Sequence, residues 1–184
     1  MEKNRKKLIG VVVIVVVFLL WFIGTKNSLV SLKEDVEMQQ SQIETTLQRR
    51  SDLIPNLVAT VKGYSNHEEK VFTEIADARS NLAGSIKSGN MDSISKASDD
   101  LDTALGRLLA ISENYPDLKA DEQFIALQDE LAGTENRIAV ARQHYNEKVK
   151  TYNTKIQSFP TSMIAGSSGY YPMPYFEADE SSKE

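Results

Sequence analysis

Several short stretches of this chain carry residue types that do chemistry elsewhere, and spacing decides what each can do here. His67-Glu68-Glu69-Lys70-Val71 begins like an H-E-x-x-H zinc site, where two imidazoles one helical turn apart hold the metal and the glutamate acts as base. Val71 stands where the second imidazole is needed, so Glu68 reads as a helix-capping carboxylate. A di-iron bundle requires Glu three residues before His, and neither His67 nor His144 has one. Ser93-Ile94-Ser95-Lys96 has S-x-x-K spacing without the S-D-N and K-T-G partners that complete an acyl-transfer site. Asp99, Asp100 and Asp102 lack the glycine and distal glutamate of a calcium loop and read as a solvated acidic face. The chain has no cysteine, which removes a thiolate nucleophile, a disulfide and any Cys-based metal site. With no nucleophile–base pair legible, the sequence predicts no enzyme, no metal and no cofactor.

The polar residues that stand out lie within apolar periodicity. Arg49, Arg50, Asp52 and Asn56 fall in a seam-bearing stretch; Glu130, Glu135, Asn136, Arg137, Arg142 and Tyr145 repeat the theme, with Arg79 and Glu113 between. Two chemistries fit. Arg50, Arg79, Arg137 or Arg142 can pair with Glu113, Glu130 or Glu135 to fix the register of packed helices. Alternatively, the arginines grip a carboxylate or peptide from a partner by bidentate contact. Packing is the preferred reading.

The elements that must position these residues are helices. Leu29, Leu32, Val36, Ile43, Leu47, Ile54, Leu57 and Val61 recur at steps of three, four and seven, a coiled-coil-like seam running from Asn27 to Tyr64. Pro55 is expected to kink it or restart it near Asp52. Ser65 with Glu68, and Asn66 with Glu69, have capping-box spacing for a second helix, which Lys87-Ser88-Gly89-Asn90 ends. A third helix follows from about Asp92 and breaks at Tyr115-Pro116-Asp117. A fourth begins after Asp121 and closes at Phe159-Pro160. The first and fourth are about 38 residues, near 57 Å, and the middle two about 21, near 32 Å. Short connections make neighbours antiparallel, so the sequence predicts an all-α, elongated up-down four-helix bundle on a two-helix stalk over residues 26–160. The stretch 161–184, rich in Gly, Ser, Tyr and Pro and then acidic, is expected to be disordered.

Ahead of these helices, Leu8 to Gly24 is an uncharged apolar run of roughly 17 residues, just long enough at about 1.5 Å each to span a bilayer core. Residues 8–25 are therefore predicted to form a transmembrane helix, with Lys6, Lys7, Trp21 and Lys26 as interfacial flanks. Trp21-Phe22-Ile23-Gly24-Thr25-Lys26 lacks the A-x-A-like pair of small residues of a cleavage site, so an uncleaved anchor is expected. Positive charge is denser in residues 1–7 than after the run, which predicts a cytoplasmic N-terminus and a body outside the inner membrane. The formal net charge is -5; the first seven residues carry +3, leaving the body near -8. An acidic body does not suit nucleic acid.

Taken together, the motifs resemble one family. Leu47-Gln48-Arg49-Arg50-Ser51-Asp52-Leu53-Ile54-Pro55-Asn56-Leu57-Val58, Val61-Lys62-Gly63-Tyr64, His67-Glu68, Ala78-Arg79, Glu113 to Ala120, Thr134 to Ile138, Arg142, Tyr145-Asn146, Tyr152-Asn153, Phe159-Pro160 and Tyr175-Phe176 are similar, in order, to the LemA family of bacterial membrane proteins. The family usually has Tyr-Asn after its anchor, where this chain has Lys26-Asn27. The resemblance implies a single-pass membrane protein with a helical-bundle domain and no established activity. Its implied partners are the membrane and another envelope protein, in the setting of a membrane metallopeptidase system. The sequence thus predicts a membrane-anchored scaffold or interaction protein, with an envelope sensor that binds a small anion or peptide between helices as the alternative.

Overall fold

The computed structural model describes residues 2–65 and 67–176; the cap expected at Asn66 and the acidic end of the tail, 177–184, lie outside the described residues. The fold is all-helical, with no strand among the described residues. Its helices are α1 (Glu2–Tyr64), α2 (Glu69–Ser88), α3 (Met91–Ser112), α4 (Pro116–Lys119), α5 (Glu122–Gln157) and α6 (Ser162–Ala165), with a 3-10 turn at Gly166–Ser168. The chain divides into two compact units, residues 1–38 with 147–173, and residues 39–146 with 174–184.

In the first unit, the N-terminal part of α1 exposes its large apolar side chains from Leu8 to Leu20 and again at Ile23. Its mean hydropathy reaches 3.0, and it is the one helix among the described residues long and apolar enough to cross a membrane. The anchor flanks behave as amphipathic side chains do: Trp21 tilts against Phe18 at 5.6 Å, and the Lys26 ammonium lies 5.6 Å from the centre of the Phe22 ring. Lys6 and Lys7 are exposed. Beyond them Leu29 and Val36 are buried, as are Val149, Tyr152 and Ile156 of α5, and Lys148 bonds Asp35 at 2.9 Å.

In the second unit each long helix buries one stripe at three- and four-residue steps: Ile43, Leu47, Ile54 and Leu57 on α1; Phe72, Ile75 and Leu82 on α2; Ile94, Leu101 and Leu108 on α3; Phe124, Leu131 and Ile138 on α5. The helix ends follow local chemistry. Gly89 takes the left-handed conformation that closes α2, φ 66°, where a side chain would be strained. Asn90 caps α3 by accepting from the Ser93 N–H at 2.9 Å. Asp121 starts α5 by accepting from the Phe124 N–H at 2.9 Å; that bond and the Tyr64 hydroxyl hold its carboxyl below the usual range.

Three local expectations are corrected. Pro55 neither breaks nor restarts α1, which runs unbroken to Tyr64. Ser65 and Glu68 form no capping box: the Ser65 hydroxyl donates to Tyr115 Oη at 2.9 Å, and among the described residues Glu68, at the N-cap of α2, makes no side-chain cap. Thr161–Phe176 is not disordered: α6 and the turn are closed by their own backbone hydrogen bonds up to Tyr170, and the strip beyond is held by side chains of α5.

Candidate functional site

Arg79 explains the continuity of α1. A proline inside a helix lacks the N–H that would serve the carbonyl four residues earlier, here that of Ser51. Ser51 is 3% exposed, so water does not satisfy that oxygen. Arg79 Nε of α2 donates to Ser51 O at 3.1 Å and lies 3.3 Å from Ser51 Oγ. A guanidinium thus replaces the missing amide.

Next to Ser51 in the chain, Arg50 holds a charged cluster. Its side chain is 9% exposed; Nη1 pairs with Asp102 of α3 and with Glu135 Oε2 of α5 at 2.7 Å. Arg142 lies 3.8 Å from Asp99 Oδ1 and donates to Ser98 Oγ at 3.0 Å. Among the described residues, Nε of Arg50 and of Arg142 are buried without a hydrogen-bond partner. Burial pushes the Asp102 carboxyl up to about 6, with Glu135 and Asp99 adding to the rise and Arg50 and Arg142 opposing it. The cluster ties α1, α3 and α5 together, and as a buried network it serves packing specificity better than raw stability.

The remaining sequence-predicted residues scatter. Arg49 pairs with Glu130 at 2.6 Å, which Arg137 approaches at 3.6 Å, all at the surface. Glu113 pairs with Lys119 at 2.5 Å, apart from the arginines it was expected to meet. Asp52 accepts from Gln48 of its own helix at 2.9 Å, and Asn56 is exposed. Asn136 and Arg137 line an open groove of about 390 Å³ with Gln39, Gln42, Thr46 and Val140.

A second arrangement lies on α5, where asparagines capture extended backbone. In the first unit Asn153 Nδ2 donates to the Met173 carbonyl and its Oδ1 accepts from the Met173 N–H, both at 2.9 Å. In the second unit Asn146 does the same to Phe176, at 2.9 and 2.8 Å. Tyr145 Oη donates to the Pro174 carbonyl at 3.0 Å; burial, with a smaller effect of Asp92, pushes its phenol up to about 12, so it stays a donor at neutral pH. Phe176 is 3% exposed, its ring 4.5 Å from the Arg142 guanidinium, a favourable cation–π contact.

Sequence reasoning missed Asp99, Asp102 and Ser51 as partners of the arginines, since nothing local marks a carboxylate as half-buried. The asparagine clamps had a signal: Tyr145-Asn146 and Tyr152-Asn153 repeat one dipeptide at seven residues, which places both pairs on one helix face.

Comparison with known proteins agrees with these motifs. The model of the LemA family matches residues 39–184. The chain belongs to the LemA family. Among similar proteins are Magnetosome protein MamQ 1 of Paramagnetospirillum magneticum, 28% identical over 89% of this chain and 68% of the relative, and Magnetosome protein MamQ of Magnetospirillum gryphiswaldense, 28% identical over 88% and 68%. Protein LemA of Metamycoplasma hominis is 27% identical over 89% of this chain and 74% of its own. The buried arginine cluster, the Pro55–Arg79 pair and the docked tail all fall within the matched region.

Proposed function

We propose that this LemA-family chain is a membrane-anchored helical scaffold of the bacterial envelope, whose body holds another envelope protein and catalyses nothing. The observation that carries this reading is the consumption of its distinctive charges. Arg50, Arg79 and Arg142, which an anion sensor would present to a ligand, are turned onto Asp102, Glu135, Ser51, Ser98 and Phe176 of the same chain. Such charges specify how helices pack and leave the surface as the working part. In this reading α1, α2, α3 and α5 of the second unit form an up-down four-helix bundle. The N-terminus stays cytoplasmic by the charge bias of residues 1–7, and the body faces the outside. The partner is a membrane protein, with membrane proteolysis as the setting that the family resemblance implies. Its contact lies on the open groove at Asn136, Arg137 and Val140, where polar side chains border exposed apolar surface.

The test is site-specific photo-crosslinking in living cells. A photoreactive residue at Val140, exposed at 53%, is expected to yield one discrete adduct, lost when the anchor is replaced by a soluble leader. A ladder of unspecific adducts, or one unchanged without the anchor, would reject the anchored scaffold.

A further inference from the structure

The strip 171–176 is bound as a ligand is bound. Among the described residues no hydrogen bond between backbone groups holds it; the last such bond, Tyr170 N–H to Ala165 O, precedes it. In the second unit its fixings come from three residues within about one turn of α5. Asn146 pairs both backbone groups of Phe176, Tyr145 takes the Pro174 carbonyl, and Arg142 covers the Phe176 ring. An amide side chain that donates to a C=O and accepts from the N–H of one residue mimics a neighbouring strand, and it reads main chain rather than sequence. The proline suits the site, since it has no N–H to satisfy and its one polar group is taken. Selectivity rests on the aromatic ring, which a cation over its face favours.

We propose that the Arg142–Tyr145–Asn146 face is an extended-peptide site that takes the Pro174–Phe176 strip of a second copy of this chain, exchanged for its own. The strip of a neighbouring copy has the same groups in the same order, so the trans contact reproduces the cis one bond for bond. The connection before it runs through two glycines, Gly166 and Gly169, the latter at φ 80°, and is held at Met173 by Asn153, so exchange pivots between that clamp and Pro174 or releases it. An anchor that confines copies to a membrane plane raises their effective concentration, the condition under which element exchange becomes favourable. This goes beyond the scaffold reading, which requires no self-association.

The test pairs two complementary defects in the full anchored chain. Phe176→Ala spoils the strip and keeps the site; Asn146→Ala spoils the site and keeps the strip. Each variant is prepared with two different tags, reconstituted in nanodiscs large enough for two copies, and its helix melting checked by circular dichroism. Mixing the two variants is expected to give at least about fivefold more cross-tag capture than either variant mixed with itself, because only the mixture holds an intact site and an intact strip. Equal capture in all three mixtures overturns the exchange. Should either variant melt early, an end-blocked fluorescent peptide of residues 168–176 decides independently: the F176A chain, whose own strip lacks the ring that Arg142 covers and competes less, is expected to bind it at least tenfold more tightly than the intact chain. Equal binding removes the site. Peptide binding without cross-tag capture confines it to the chain's own strip and likewise overturns the proposal.

Discussion

At the scale of single residues, the Pro55–Arg79 pair makes a thermodynamic cycle. Arg79→Ala strands the buried Ser51 carbonyl, which costs about 1–3 kcal/mol, or several degrees of melting temperature at this size. Pro55→Ala restores the backbone N–H, so in the double variant Arg79→Ala is expected to lose most of its effect in thermal melts. An undiminished loss would reject the substitution of guanidinium for amide. Asp102 offers a second test. Its carboxyl is raised to about 6 from an ordinary 3.8, so its contribution to stability is full below the unfolded value and is lost as pH rises through 6. Asp102→Asn cannot ionise, so its melting temperature is expected to gain on that of the parent by a few degrees between pH 5 and pH 7.5. A pH-independent difference would contradict the assignment.

At the scale of elements, legibility followed periodicity. The seam residues Leu29, Val36, Ile43, Leu47, Ile54 and Leu57 were all readable and all are buried, because an amphipathic stripe is written in spacing alone. Gly89 and Asp121 also ended and began helices where their chemistry said. What failed needed a distant partner. Pro55 reads as a restart of the helix until the Arg79 guanidinium, 28 residues beyond Ser51, is known to serve its carbonyl, and the strip 171–176 reads as disordered until α5 is known to hold it. The asparagine clamps predict a protease result: Asn153→Ala removes two hydrogen bonds of about 0.5–1.5 kcal/mol each, so chymotrypsin is expected to cut between Tyr170 and Phe176 roughly tenfold faster. An unchanged rate would show that the clamp does not limit opening of the strip. For the anchor, Ile14→Arg places a charge costing about 2.5–3.5 kcal/mol at the centre of the apolar run. Carbonate-resistant membrane retention is expected to fall sharply; full retention would deny that this segment spans the bilayer.

At the scale of the whole molecule, one apolar segment, one class of core and two of the named charge pairs, Arg50–Glu135 and Arg137–Glu130, were legible, while the aspartate partners were not. Composition announced an acidic, cysteine-free helical body behind an apolar helix, and the family match agrees with the resemblance of its motifs. Yet Asp99 and Asp102 looked like ordinary surface carboxylates, since the sequence does not record which helix will pack over them. The Arg79 contact also bears on the order in which the chain can mature. Its guanidinium leaves the ribosome well after Ser51 and Pro55, so water serves that carbonyl in the nascent stretch, and docking of α2 exchanges the water for Arg79 Nε. Without α2 the proline still deprives this helix of one backbone hydrogen bond, so as an isolated peptide the second half of α1 is expected to fray around Ser51 in amide-exchange measurements.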